Sequence, residues 1–543
     1  MADIVQIALT RIGPCVSTAL VKALVDEYRL TPANARQKVS RSTSIKKLAY
    51  LPFPRNARFV YLQSDYASHE FWHALTDELL RNSISYGGGL AALLARGGVM
   101  PVEHFAIACG APLAQKGHQS PATILSRLEK ADLVKVFDVP GIGKCLELSQ
   151  KAAAQSFELA QMRARLKTET ILLCAIKDWA RNLGLVSYNK VELRDEGDKQ
   201  PKVGTFNWDM TGPSYVGPLV QWSGSKPKSG FLVCDVLLGT NVSEKELQPF
   251  INKCKTLRSL TKVGRCMQIF VADGYTPEAF ALARSNGVIP ATTETLFGAD
   301  VAKALRELTD LLKDVFPRVD TFEKVDAVFS RLSHIEGAAT NLRGALFEYF
   351  TAELVRLNSA HTTIQLNEIL RDDIGRSAEV DVLVLHIRQT VRFIECKGYK
   401  PGGIIPDDLV KHWLDDRIPV IRRAAAQEPF WNNCQQVFEF WTSGDLSPEA
   451  KQNVKDAASK TTKYTLKIVD RDAIMEALKA TNSTALKKTF KEHFSEHPLE
   501  KAERASKKAG RKLPIPGASQ LPKREVVGET GFTAEHPRAV GIS

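Results

Sequence analysis

Ser377-Ala378-Glu379-Val380-Asp381-Val382-Leu383-Val384-Leu385 is followed, after a short turn, by Arg392-Phe393-Ile394-Glu395-Cys396-Lys397-Gly398. These two stretches decide how the chain is read. Both are made of Val, Leu, Ile and Phe, so each reads as a buried strand, and the short interval between them makes a hairpin. Glu379, Asp381, Glu395 and Lys397 interrupt that apolar run. Strand side chains alternate, which puts Glu395 and Lys397 on one face. A turn near Arg388 sets Asp381 opposite Glu395, within one position. Asp381, Glu395 and Lys397 then converge, and burying such a cluster without compensation costs several kcal/mol. Two carboxylates that close call for a divalent cation, and oxygen-only ligation suits Mg²⁺ or Mn²⁺ better than zinc. A lysine beside them can orient, or help deprotonate, a water attacking a phosphodiester, while the metal stabilises charge on the phosphate.

Working outward, a helix over 342–357 carries Glu348, and a strand over 363–366 precedes the hairpin. Downstream come a helix over 407–427, a strand over 437–442, a helix over 447–458, a strand over 464–469 and a helix over 471–480. A similar string lies earlier. Strand-like runs at 204–208, 230–238, 266–271 and 287–291 alternate in their later part with helices over 243–259 and 276–286, after a helical stretch over 152–183. Thr276-Pro277-Glu278 and Ser447-Pro448-Glu449 fall at the same point of the two strings. Each places a hydroxyl at the N-cap, proline at the first helical position and an acid in the first turn. The recurrence implies a diverged duplication of one α/β unit.

The first sixty residues read as three helices and a hairpin. Thr31 caps a helix over 33–42 whose polar positions include Arg36, Lys38 and Arg41, and short strands over 47–51 and 58–63 follow. This order resembles a winged helix-turn-helix, whose second helix enters the major groove of duplex DNA. A second copy, with a less basic helix, spans 101–148. His69-Glu70-Phe71-Trp72-His73 matches the H-E-x-x-H zinc pattern. No third ligand follows it, so the expected role is an amphipathic helix with Phe71, Trp72, Leu75 and Leu79 or Leu80 as its buried stripe.

With 44% hydrophobic and 25% charged residues, the 543-residue chain falls in the soluble globular class and is long enough for several cores. No uncharged run reaches the length of a membrane span, and no basic segment precedes the first apolar residues, so neither a membrane anchor nor a signal peptide is expected. Nine cysteines without a C-x-x-C pair point to a reducing, cytoplasmic setting. A net charge of +12 favours a polyanionic partner.

The Asp381…Glu395-Cys396-Lys397 pattern resembles the PD-(D/E)xK nuclease superfamily, the restriction-endonuclease-like fold, and its Mrr-like branch in particular. The resemblance covers about 332–478. It implies that Asp381 is the first-motif acid and that Glu395 and Lys397 are the paired acid and lysine. Glu348 is the acid on the helix before the sheet, with Gly344 allowing that helix close to the strands, and Glu379 adds a ligand. It makes Glu348, Glu379, Asp381 and Glu395 the metal ligands, and Glu348, Asp381, Glu395 and Lys397 the catalytic set. Gln435 or Gln436 is the candidate for the family's downstream polar residue. Tyr399 and Lys400 join Arg36, Lys38 and Arg41 as nucleic-acid contacts. The earlier α/β segment resembles the same fold with its chemistry lost. There Asp209 and Asp235 stand in for the acids, but Val236 and Leu237 occupy the places where a lysine is needed.

The expected architecture is therefore multidomain α/β plus α+β. A winged helix-turn-helix with a helical extension occupies 1–98 and a second winged-helix-like module 99–152. A degenerate restriction-endonuclease-like domain (153–312), an active one (313–482) and a basic flexible tail (483–543) follow. The expected function is a metal-dependent endonuclease acting on double-stranded DNA in bacterial defence, as a homodimer or with a partner defence protein. The alternative is a catalytically inactive DNA-binding regulator or scaffold in which the Asp/Glu/Lys cluster is structural.

Overall fold

Two five-stranded mixed sheets organise the chain, and they have the same construction. In the computed structural model, which describes residues 3–149, 156–196, 199–223, 226–313, 321–332, 338–359, 362–386, 389–431 and 433–495, the first sheet runs Glu192–Leu193, Met210–Ser214, Gly230–Val242, Cys266–Tyr275, Ile289–Thr292. Its first two neighbour pairs are antiparallel and its last two parallel. The second sheet runs Thr362–Arg371, Ser377–His386, Thr390–Lys397, Gln435–Thr442, Thr465–Val469 with the same sequence of directions. Parallel neighbours need a crossover. Glu244–Arg258 and Pro277–Ser285 supply it in the first sheet, and the helical run from Asp407 to Gln427 and Pro448–Ser459 do so in the second. The paired capping signals behave as their chemistry requires. Thr276 Oγ1 accepts from Ala279 N at 3.2 Å and Ser447 Oγ from Ala450 N at 2.9 Å.

One long helix precedes each sheet, Ser156–Asn182 before the first and Ala338–Asn358 before the second. Both helices and one face of each sheet share a single apolar core. Strand alternation explains the division. Leu232, Cys234 and Val236 turn to the shared core while Val233 and Leu237 turn away, and Val382, Val384 and Ile394 turn in while Leu383 and Phe393 turn away. The outward faces have their own cores beneath the crossover helices. The first segment assigned above to the tail is also ordered. Thr484–Phe490 and the turn after it carry Leu486, Phe490 and Phe494 at helical spacing into the shared core, against Phe347 and Phe350. The rest of the proposed tail, 496–543, lies outside the described residues.

The N-terminal third contains two modules of one element order: helix, strand, helix, helix, strand, strand. The first comprises Ile4–Ile12, Cys15–Val16, Ser17–Tyr28, Pro32–Arg41, Lys46–Lys47 and Phe59–Tyr61. The second comprises Ile84–Leu94, Val99–Pro101, Val102–Ala108, Pro121–Lys130, Val134–Val139 and Gly143–Leu148. In both, the last strand lies between the other two. The His69–Asn82 helix joins them, burying Phe71, Leu75 and Leu79 and leaving His69, Glu70 and His73 exposed. No described helix is long and apolar enough to cross a membrane.

Candidate active site

The hairpin strands of the second sheet pair in the register the arithmetic gave, while 387–388, where the turn is expected, lie outside the described residues. Val382 faces Ile394 and the ladder stops there, one residue short of Asp381 and Glu395. Beyond that point the backbone is held by a side chain: Cys396 N–H donates to Asp381 Oδ2 at 2.7 Å. The end of the ladder thus fixes Asp381 at the strand edge. Lys397 lies 2.5 Å from Glu395 Oε1 and 3.8 Å from Asp381 Oδ2, so the three side chains singled out from the sequence do meet. They lie on the face covered by the Asp407–Gln427 run, where one turn of π-helix, Trp413–Arg417, brings Arg417 to within 2.6 Å of Glu395 Oε2. Such turns are rare and frequent at functional sites.

Glu348 and Glu379 complete the acidic set, and their cations come from elsewhere in the chain. Glu348 reaches the same edge from the helix over the opposite face, and Lys167 of the Ser156–Asn182 helix sits 3.4 Å from it. One turn earlier on that helix, Arg163 pairs with Glu379. Four carboxylates therefore meet four cations: Arg163, Lys167, Lys397 and Arg417. Sequence reasoning missed Arg163, Lys167 and Arg417. No local pattern marks them, because only the packing of the long helix and the π turn delivers them.

These surroundings set the protonation states. Burial pushes the Glu348 carboxyl up to about 7, Lys167 opposing and Asp381 and Glu379 reinforcing the shift. Glu395 and Glu379 are also raised, in each case first by burial, with the Asp381 charge adding to it. For Lys397, burial works against the charged form, but Asp381 and Glu395 outweigh it and the ammonium is strengthened.

Other expected residues fall differently. Gly344 is not the close approach, since a Cβ there would meet nothing; Gly398 is, with Phe347 Cβ at 2.5 Å from its virtual Cβ. Gln435 and Gln436 begin their strand opposite Thr390 and Val391, the far end of the ladder from Lys397, which faces Thr442. They are too distant along the strands to serve the acids. Tyr399 is half-buried, its N–H donating to Ser443 Oγ at 2.8 Å, while Lys400 is exposed. Arg36, Lys38 and Arg41 are all exposed on the Pro32–Arg41 helix, which buries only Ala35 and Val39.

The first sheet repeats the geometry with different occupants. Its ladder stops at Met210 opposite Cys234, one residue short of Asp209 and Asp235, and Val236 N–H donates to Asp209 Oδ2 at 2.7 Å. Leu237 holds the lysine position, as read from the sequence. Yet a cation is supplied: Lys253 of the crossover helix lies 2.6 Å from Asp235, as Arg417 does for Glu395. Arg194 clamps Asp209 at 2.8 Å and Glu169 of the long helix at 2.5 Å. All five groups are essentially buried.

Among the described residues, no three His, Cys, Asp or Glu side chains stand close enough together to hold a metal ion as they are placed. In the second sheet the donor chemistry nevertheless suits a hard divalent cation, being carboxylate throughout. Glu395 has both oxygens engaged, whereas Asp381 Oδ1 has no hydrogen bond among the described residues. No known protein-family model matches the chain, and no curated protein sequence does either.

Proposed function

We propose that the chain is a metal-dependent nuclease that hydrolyses phosphodiester bonds in DNA, with a role in bacterial defence against foreign DNA. The observation that carries this is the meeting of Asp381, Glu395 and Lys397 at the frayed end of one hairpin, with Glu348 brought to the same edge. On this reading the second sheet has the restriction-endonuclease-like fold, the first is its inactive counterpart, and the two N-terminal modules are winged helices. Asp381 and Glu395 would hold Mg²⁺ or Mn²⁺, with Glu348 and Glu379 beside them. When bound, the ion would neutralise charge on the phosphate and acidify a water.

The chain's own residues take the remaining roles. Lys397 stays protonated at neutral pH, so it serves as a donor that orients water and phosphate oxygen rather than as a base. Glu348, whose carboxyl burial pushes up, would stand beside the ion with Lys167 as its partner. The exposed Arg36, Lys38 and Arg41 helix presents donors for the DNA backbone. The decisive experiment is Mg²⁺-dependent cleavage of DNA and RNA by wild type and Lys397→Ala. Cleavage by the wild type alone supports the proposal, and equal cleavage by both refutes the site.

The pairing of all four acids with cations favours a second reading, a DNA-binding regulator or scaffold in which the cluster is structural. Metal-dependent nicking of plasmid DNA separates the two.

A further inference from the structure

At one end of the first sheet the chain leaves the ladder. Ser214 and Gly230 are strand partners, and between them lie a short turn, Gly217–Leu219, and a hairpin in which Gln221–Ser223 pairs with Lys226–Lys228. Two loops close on the base of this excursion. Ser187 N–H donates to Pro213 O at 2.9 Å, which lays the 187–190 turn beside it. Arg265 donates to Pro218 O at 3.0 Å and accepts at its own carbonyl from Phe231 N–H at 2.9 Å, which does the same for 259–265. This is the far end of the ladder from Met210 and Cys234, where Asp209 and Asp235 lie.

Aromatic rings stand in solvent here. Trp222 is 71% exposed, Tyr188 66% and Tyr215 58%, and the Arg181 guanidinium lies 4.9 Å over the Tyr188 ring. Single exposed apolar side chains are ordinary, but several at one strand end mark a contact surface. The charge around them has one sign. Residues 183–191, 210–234 and 247–272 contain no Asp or Glu, whereas Lys228, Lys262 and Arg265 are all exposed. Of the acids that border these segments, Asp209 and Asp235 are buried, Asp178 lies 3.7 Å from Arg181, and Glu192 stands further along the strand, opposite Thr211.

Addition of a partner strand to the hairpin is disfavoured, because Pro227, opposite Trp222, brings no N–H. Rings set among cations match a polyanion that has flat faces. Aromatic side chains stack on bases whatever the sequence, while Lys and Arg hold the phosphates. In a duplex those faces are shut inside the stack, so the bases must be unpaired.

We propose that this end of the first sheet binds a single-stranded nucleic-acid segment, with Trp222, Tyr215 and Tyr188 as stacking platforms and Lys228, Lys262 and Arg265 as phosphate contacts. The surface uses none of the acids of either sheet, so it goes beyond the phosphodiester reading and stands or falls without it.

The test uses the full chain in EDTA, so that no metal-dependent cleavage intervenes. Fluorescence anisotropy reads the binding of labelled thymidine DNA and uridine RNA strands of about 15 nucleotides, within the range one single-strand site covers, and of a blunt duplex. Trp222→Ala should weaken binding of the single strand about tenfold and leave the duplex unchanged, while Trp222→Phe keeps most of the affinity. Lys228→Ala combined with Lys262→Ala should make the single-strand slope of log K on log salt shallower by about 1.4. All three side chains are exposed, so Tm should not move, which thermal denaturation checks. A Trp222 dependence with DNA, with RNA or with both supports the proposal and tells which strand the surface takes. No binding of either single strand, unchanged affinity in Trp222→Ala, or equal weakening of single strand and duplex would overturn it. So would a wild-type dimer that Trp222→Ala dissociates with single-strand affinity intact, since the surface would then be an interface between copies of the chain. None of these results bears on the metal-dependent cleavage that tests the acids.

Discussion

Replacing Lys253 by methionine tests whether protein cations have taken over the first sheet's acids. Lys253 is 1% exposed. Its ammonium lies 2.6 Å from Asp235 Oδ2, donates to Ile107 O at 3.2 Å, and sits 3.8 Å from the Trp208 ring centre. Methionine fills similar volume but leaves Asp235 buried without its cation. Breaking one side of a buried pair costs about 3–5 kcal/mol. For a cooperative unit of domain size that corresponds to a fall in Tm on the order of 10 °C. The loss should also depend on pH. Burial already pushes Asp235 up to about 6 with Lys253 present, above its usual unfolded value. Its contribution to stability therefore declines as pH rises through that value, and without Lys253 the folded acid holds its proton still more strongly. The deficit of Lys253→Met should accordingly be larger at pH 8 than at pH 5, by thermal denaturation. Adding Asp235→Asn should recover part of it. A loss under about 1 kcal/mol, one equal at both pH values, or a double variant no better than the single one would refute the reasoning. Cleavage per folded molecule should be unchanged, because the Asp235 pair is proposed to be structural.

Three further outcomes follow from the same geometry. Asp381→Ala and Glu395→Ala should each abolish cleavage while DNA affinity stays the same or rises, since negative charge near phosphate is removed; wild-type cleavage by either would sink the assignment. A combined Arg36→Ala, Lys38→Ala, Arg41→Ala variant should bind duplex DNA more weakly, with a slope of log K on log salt shallower by about 2–3, and an unaltered slope would move the contact surface elsewhere. Glu348 is raised to about 7, so its charged form costs folding stability as pH rises through that value. Glu348→Gln should therefore gain Tm relative to wild type between pH 5 and pH 8, and a difference constant over that range would count against the shift.

What the sequence made legible was local. The two apolar runs with their acids, the pairing register of the hairpin and the two Ser/Thr-Pro-Glu caps all depend on neighbours a few residues away, and all appear in the fold. The Met210–Ser214 strand did not show itself, because Met-Thr-Gly-Pro-Ser reads as a turn. It is a strand because Gly212 lets Val186 approach, with Val186 Cγ1 at 2.9 Å from a virtual Cβ, and because on that side Pro213 only has to accept, its carbonyl taking Ser187 N–H at 2.9 Å, so its missing N–H costs no ladder bond. The Gly344 expectation failed for a related reason. Helix–strand contact is set by which turn of the helix touches, and that turn carries Phe347, against which only Gly398 fits. The cations were out of reach altogether. Pairing arithmetic locates residues on adjacent strands, but Arg163, Lys167, Lys253 and Arg417 arrive on helices.

Those helices explain why the first sheet keeps its acids even though Leu237 replaces the lysine. The Ser156–Asn182 helix has two charged faces, each built from residues one turn apart. Arg163 and Lys167 point to Glu379 and Glu348 of the second sheet. Arg165 and Glu169 point the other way: Arg165 donates to the carbonyls of Arg96 and Val99, and Glu169 accepts from Leu238 N–H and is clamped by Arg194, which also holds Asp209. Asp209 is thus joined through Arg194, by two ion pairs, to the helix that furnishes half the countercharge of the candidate site. Removing its carboxylate would leave Arg194 with excess charge in a dry setting and loosen its hold on Glu169, and a rigid helix transmits such a shift to its opposite face. On the proposed reading the acids of the first sheet serve as anchors rather than ligands. On this account Asp209→Ala should cost stability and, in molecules that remain folded, leave intrinsic turnover intact only as long as Arg163 and Lys167 keep their places. A turnover loss as large as that of Lys397→Ala in a normally folded protein, and larger than Arg163→Ala and Lys167→Ala together produce, would mean that both sheets cut.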